Sequence, residues 1–129
     1  MASFLLNTNV VIGLRDGDHV VAEKVAALDG AILLSIITHV ELEGGVYRDP
    51  SQTSVRRPRL DAILEALPVL PFDDLAADSY RRIVAAAGYS RRKLLDRMIA
   101  AQALVHRATL VTQNPVDFQD VPGLDLLAW

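Results

Sequence analysis

Phe4-Leu5-Leu6-Asn7-Thr8-Asn9-Val10-Val11-Ile12 decides the fold. A short apolar run passes into three small polar residues and then turns apolar again. That pattern predicts a buried strand stopping at a polar cluster where a helix begins. In open α/β sheets, ligands bind beyond the carboxyl ends of strands, where the strand order reverses. Asn7 stands at such an end, on what would be the central strand.

Working outward, Val10 to Leu14 reads as a short helix closed by Arg15-Asp16-Gly17. Asp18 caps a second helix with Val21, Val25 and Leu28 on its apolar face, stopped at Asp29-Gly30. Ala31 to Leu34 forms a second buried strand with Ser35 at its end, and a helix follows from Ile36 to Tyr47. Asp49-Pro50-Ser51 breaks the chain, and the polar, basic stretch to Pro58 is expected to be a loop or frayed start. Leu60, Ile63, Leu64 and Leu67 then repeat at helical spacing. Pro68-Val69-Leu70-Pro71 is a proline-bracketed edge strand. Asp73 or Asp74 caps a helix with Ala76, Tyr80, Ile83, Val84 and Ala87 on its core face, ended by Gly88.

Leu94 to Ala108 is apolar on most sides, with Arg97, Gln102 and His106 as a narrow polar relief, so Asp96 inside it needs a reason. A strand at Thr109 to Val111 and a short edge strand at Asp125 to Leu127 complete the pattern. Strands alternating with helices predict a three-layer α/β/α domain with a central parallel sheet of four or five strands, residues 1–129 forming one domain.

The 129 residues are 51% hydrophobic and 5% aromatic, which predicts an aliphatic core. With no cysteines, disulfides, zinc–thiolate sites and cysteine nucleophiles are excluded, as suits a reducing cytoplasm. No apolar run approaches the ~20 residues of a membrane span, and the N-terminus lacks signal-peptide character. The net charge of −3 argues against indiscriminate nucleic-acid binding. Its distribution is uneven: Arg48 to Arg107 holds eleven basic residues against seven acids, so this basic middle could face a phosphate backbone.

Four polar stations fall where a parallel sheet would gather them: Asn7, Glu41 on the helix after the second strand, Asp96, and Asp117 after the strand at Thr109. Mg²⁺ and Mn²⁺ favour oxygen ligands and are commonly held by a few carboxylates plus water. Grouped acids repel one another, and a cation removes that cost. Taken singly, each acid has a plainer role as an exposed helix residue, a helix-start charge or a loop cap. His39 and His106 pair with nothing and are expected on helix surfaces.

Together, Leu5-Leu6-Asn7-Thr8-Asn9, Ser35-Ile36-Ile37-Thr38-His39-Val40-Glu41-Leu42, Asp96-Arg97-Met98-Ile99-Ala100-Ala101 and Thr112-Gln113-Asn114-Pro115-Val116-Asp117-Phe118 resemble the PIN-domain ribonucleases. The nearest likeness is to the VapC toxins of bacterial toxin–antitoxin pairs. The resemblance spans essentially the whole chain, and it implies a PIN-like fold and Mg²⁺- or Mn²⁺-dependent cleavage of RNA. It places Glu41, Asp96, Asp117 and the position of Asn7 as catalytic, metal-holding residues. Thr8, Asn9, Ser35, Thr112 and Asn114 become supporting polar positions, and Arg91, Arg92 and Lys93 the first candidates to hold RNA. It also implies homodimers and a small VapB-type antitoxin whose C-terminal segment covers the site.

Asn7 departs from the family pattern, which has Asp-Thr-Asn here. The amide keeps the shape but removes a negative charge and one of two carboxylate oxygens. Catalysis is therefore expected to be impaired, in a deliberately inactivated form, which we favour, or in a natural member with weakened activity. Two other functions fit the residues: a non-catalytic module that binds an antitoxin or RNA, and a phosphohydrolase acting on small phosphate esters.

Overall fold

The computed structural model describes residues 2–129. Five parallel strands, β1 (Ser3–Leu6), β2 (Ala31–Ser35), β3 (Val69–Leu70), β4 (Thr109–Thr112) and β5 (Leu126–Ala128), lie in the order β3-β2-β1-β4-β5. The chain builds outward from β1 to β3 on one side, then returns to place β4 on the other. The strand order thus reverses beside β1, as the opening stretch implied.

Successive strand residues point to opposite faces, and this alternation divides the core. Leu5 and Leu110 are buried with Ile83, Ile99, Ala100 and Phe118 on one face. Leu6 and Val111 are buried with Val10, Val11, Leu34, Leu42, Val46 and Leu60 on the other. The second face is covered by α1 (Thr8–Arg15), α2 (His19–Ala26), α3 (Ile36–Arg48) and α4 (Thr53–Ala66). The first is covered by α5 (Asp74–Ala87) and α6 (Leu94–Val105). The arrangement is the expected α/β/α sandwich, with five strands and both two-residue and three-residue edge strands where the sequence put them.

Helix starts follow the sequence chemistry. Asp18 accepts from Val20 and Val21 N–H, Ser35 from Ile37 N–H, and Asp73 from Ala76 N–H. Gly88, at φ +84°, ends α5 in a conformation that favours glycine.

One expectation is corrected. The stretch before Pro58 is helical: a 3₁₀ turn at Pro50–Gln52 leads into α4, which begins at Thr53 and carries Pro58 inside it. The missing N–H would have met the carbonyl of Ser54, an exposed residue of the first turn that water can serve. The helix start is also stapled to α3. Thr53 Oγ1 donates to the Val46 carbonyl at 2.8 Å, Arg56 Nη1 to the Gly45 carbonyl at 2.9 Å, and Arg57 bridges Glu43 and Asp61.

The polar relief of α6 is itself largely internal. Arg97 and Gln102 are 2% and 0% exposed, and both are hydrogen-bonded inside the fold. Gln102 Nε2 donates to the carbonyls of Leu70 (3.1 Å) and Pro71 (3.0 Å), while its Oε1 accepts from Ser35 Oγ. One side chain thereby ties α6 to the ends of β2 and the edge strand β3. Arg97 donates through Nη1 to the Gly88 carbonyl (2.6 Å) and through Nη2 to Asp120 (2.9 Å), leaving Nε unpartnered.

Gln102→Ala leaves buried carbonyls unpaired and opens a cavity. It should cost about 3 kcal/mol in denaturant unfolding, against under about 0.5 kcal/mol for exposed Gln119→Ala. The Arg57 hydrogen bond, opposed by slight burial, holds the Glu43 carboxyl below its ordinary value. A lowered folded-state pKa gives stability that is present above the unfolded value and lost as pH falls through the folded one. Glu43→Gln should therefore lower the melting temperature slightly at pH 7, and the difference should close as pH falls below about 4.

Candidate active site

Asn7 lies where β1 becomes α1. Its backbone N–H donates to the Val111 carbonyl across the β1–β4 pair (2.9 Å), and its own carbonyl accepts from Val10 and Val11 N–H. The side chain is 3% exposed. Oδ1 accepts from Thr8 N–H at 2.9 Å, which fixes the amide's orientation, and Nδ2 donates to Thr112 Oγ1 at 3.0 Å.

Thr112, fully buried at the end of β4, receives more donors than a hydroxyl oxygen can serve. Besides Asn7 Nδ2, Asn9 Nδ2 approaches it at 3.4 Å and Asn114 N–H at 3.0 Å. A hydroxyl carries two lone pairs and one proton, and among the described residues that proton has no acceptor. A carboxylate at position 7 would reverse one contact, with Thr112 donating to it. The hydrogen bonding around Asn7 is therefore suited to an aspartate.

On the other side of Asn7, Thr8 reaches α3. Its Oγ1 donates to Glu41 Oε1 at 2.8 Å and lies 2.9 Å from Thr38 Oγ1. With Thr8 committed as donor to Glu41, Thr38 supplies the proton between the hydroxyls. Buried Thr38 thus holds Thr8, and Thr8 aims Glu41. Sequence reasoning missed Thr38, although it sits three residues before Glu41 on the same helix face.

Asp96 is half-buried in the first turn of α6, and Asp117 lies in the 3₁₀ turn Pro115–Phe118 after β4. Burial raises the Asp96 carboxyl above its ordinary value, and the charges of Asp117 and Glu41 raise it further, against Arg92 and Lys93. Three acids from three elements therefore act on a common region beside the strand crossover. Among the described residues, no three acidic or histidine side chains are close enough to enclose a cation unaided. The donor set is nevertheless all oxygen and its charges repel, which fits a hard divalent cation completed by water.

The remaining candidates divide. Asn9 joins the Thr112 cluster and also accepts from Gln113 N–H at 3.3 Å. Ser35 instead caps α3 and bonds Gln102. Arg92 lies 3.5 Å from Asp117, Lys93 is paired with Asp120 at 3.2 Å, and Arg91 is exposed. Asp120, not singled out from sequence, accepts from both Lys93 and Arg97 and so ties the loop after Asp117 to the start of α6. His39 pairs with Glu43 at 3.2 Å, and His106 is exposed.

The PIN-domain family profile matches residues 4–124. Ribonuclease VapC1 of Rickettsia felis is 30% identical over 130 residues, covering 95% of this chain and 93% of the relative. Among solved structures, VapBC2 from Rickettsia felis, bound to a DNA fragment from its promoter, contains a chain with a TM-score of 0.83. That chain is 25% identical, with 98% of each covered. FitAcB from Neisseria gonorrhoeae gives 0.81 at 29% identity, with 96% of each chain covered. With matches of this extent, the chain belongs to the PIN-domain family, and its kinship within that family runs to the VapC ribonucleases. Among the described residues, no helix is long and apolar enough to cross a membrane.

Restoring the acid at position 7 adds a charge to a group of acids that already repel. In chelator, Asn7→Asp should melt about 4 °C lower than the present chain, ~1 kcal/mol of added repulsion, and excess Mg²⁺ should remove the difference. Equal melting in chelator with no gain from Mg²⁺ would separate position 7 from the acidic group.

Proposed function

We propose that this chain is the toxin of a toxin–antitoxin pair, an endoribonuclease dependent on Mg²⁺ or Mn²⁺, with catalysis weakened by Asn7. The observation that carries this reading is that Asp117 and Glu41, from two other elements, lie near enough to half-buried Asp96 to raise its carboxyl. Glu41, Asp96 and Asp117 would hold the cation with position 7, where Asn7 offers one neutral carbonyl oxygen already engaged by Thr8 N–H. When bound, such a cation lowers the pKa of water and stabilises charge on a phosphoryl oxygen.

The chain's own residues supply positioning. Thr8 holds Glu41 through Oε1, which would leave the second oxygen to meet the cation or to accept a proton from water. Asp120 and Arg97 hold the backbone on either side of Asp96 and Asp117, limiting how far those carboxylates can separate. Thr112 gathers Asn7, Asn9 and Asn114 into one polar floor.

By analogy with the VapBC complexes, the partners are a VapB-type antitoxin, RNA as substrate and a second copy of the chain, acting in the cytoplasm as one unit over residues 1–129. The amide at position 7 supports a second reading, in which the chain binds antitoxin or RNA without cutting.

Asn7→Asp should raise Mg²⁺- or Mn²⁺-dependent RNA cleavage at least ~10–100-fold, with chelator abolishing it. In that background Glu41→Gln or Asp96→Asn should return it to baseline. RNA left intact across a broad panel, with binding retained, would favour the non-catalytic reading.

A further inference from the structure

A polar cavity of about 490 Å³ opens beside Glu41, lined by Thr8, Arg15, Glu41, Gly45, Arg48 and Arg56 among others. Arg15 is its unusual member. The residue is 5% exposed, and its side chain's only hydrogen bond among the described residues runs from Nε to Asp16 Oδ1 at 3.1 Å. Arg97 Nε is the sole buried side-chain nitrogen or oxygen without a partner among those residues. The Nη groups of Arg15 are therefore reached by solvent, and the solvent they meet is that of the cavity.

A guanidinium cannot escape burial by losing its proton, and its two Nη groups present a planar fork matched to two oxygens of one anion. Three carboxylates, Asp16, Glu41 and Asp49, share the cavity wall, but among the described residues none is hydrogen-bonded to the Nη fork. Asp16 is taken by Nε, Asp49 Oδ1 accepts from both Ser51 N–H and Oγ, and Glu41 Oε1 is held by Thr8. Around the fork the free donors add up. Arg56 spends Nη1 on the Gly45 carbonyl, and Arg48, exposed in the last turn of α3, has no ion-pair partner among the described residues.

Gly45 belongs to the same design. A Cβ there would stand 2.9 Å from Arg15 Nη1, so a side chain at this position would push the guanidinium from its present place against α3. Thr8 and Glu41 line this cavity and also belong to the active-site network, so an anion seated here adjoins the acidic crevice.

We propose that this cavity is a binding subsite for one backbone phosphate of the RNA, next to the phosphodiester presented to the acids. Arg15 grips that phosphate with its fork and Arg48 closes on it from the rim. The inference rests on the ribonuclease reading of the neighbouring site. It locates RNA recognition on α1 and α3, away from the Arg91–Lys93 segment.

The present chain, with Asn7, suits a binding measurement because cleavage is weakened. A fluorescent single-stranded oligoribonucleotide is titrated in chelator at 50 and 200 mM salt. Arg15→Gln and Arg48→Gln should each weaken binding about tenfold and reduce the salt slope by about one, while Arg81→Gln on α5 changes neither. Circular dichroism and melting establish that Arg15→Gln is folded; exposed Arg48→Gln carries the test if it is not. Unchanged affinity and slope for Arg48→Gln and for folded Arg15→Gln would overturn the subsite, as would variants that bind RNA normally but lose a VapB-type antitoxin. In the Asn7→Asp background, cleavage that survives with KM raised in the Arg variants supports the subsite. Absence of any cleavage by Asn7→Asp itself counts against the ribonuclease reading instead.

Discussion

The pairing of β1 between β2 and β4 is the constraint on which the rest depends. The Asn7 N–H to Val111 carbonyl bond closes that ladder where the two crossovers leave the sheet in opposite directions. Because α1 starts at the next residue, the end of β1 delivers Asn7, Thr8 and Asn9 into the crevice together. Thr112 is delivered from β4 by the same register, and Glu41 from the helix that follows β2. A slip of one residue would turn each polar end toward the opposite layer. The aliphatic alternation of Leu5, Leu6, Leu110 and Val111 makes such a slip costly, so core packing secures the geometry of the site.

Two kinds of polar burial serve that frame differently. Gln102 and Arg97 meet backbone carbonyls and one acid, and they locate α6 against β3 and the loop after Asp117. The acids near Asn7 have the opposite character: they are placed close enough to raise the Asp96 carboxyl, at a cost to the folded state. On the function proposed above, a bound cation would relieve that repulsion.

Much of this was legible in the chain. The runs at Phe4–Leu6, Ala31–Leu34 and Thr109–Val111 announced a parallel sheet, and prolines around Val69-Leu70 marked an edge. What failed, failed for physical reasons. The stretch to Pro58 suggested a loop or a frayed helix start because it is polar and basic, whereas the staples from Thr53, Arg56 and Arg57 to α3 are tertiary. Arg97 and Gln102 read only as a polar relief, because periodicity registers polarity and not the carbonyls waiting for it. The contribution of Thr38 depends on where α1 meets α3, a relation that no spacing within either helix encodes.

The dual commitments of α6 have a mechanical consequence. Asp96 stands in its first turn and Gln102 six residues later, about 9 Å along one rigid rod. Gln102 clamps the far end of that stretch to Ser35 and to the carbonyls of the edge strand, while Arg97 clamps the near end to Gly88 and Asp120. The rod is thus pinned at two points, and the carboxylate of Asp96 inherits its coordinates from both. Alignment of the crevice is consequently a property of the sheet's outermost two-residue strand as much as of its centre, so disturbance at that margin would reach the acids as tilt.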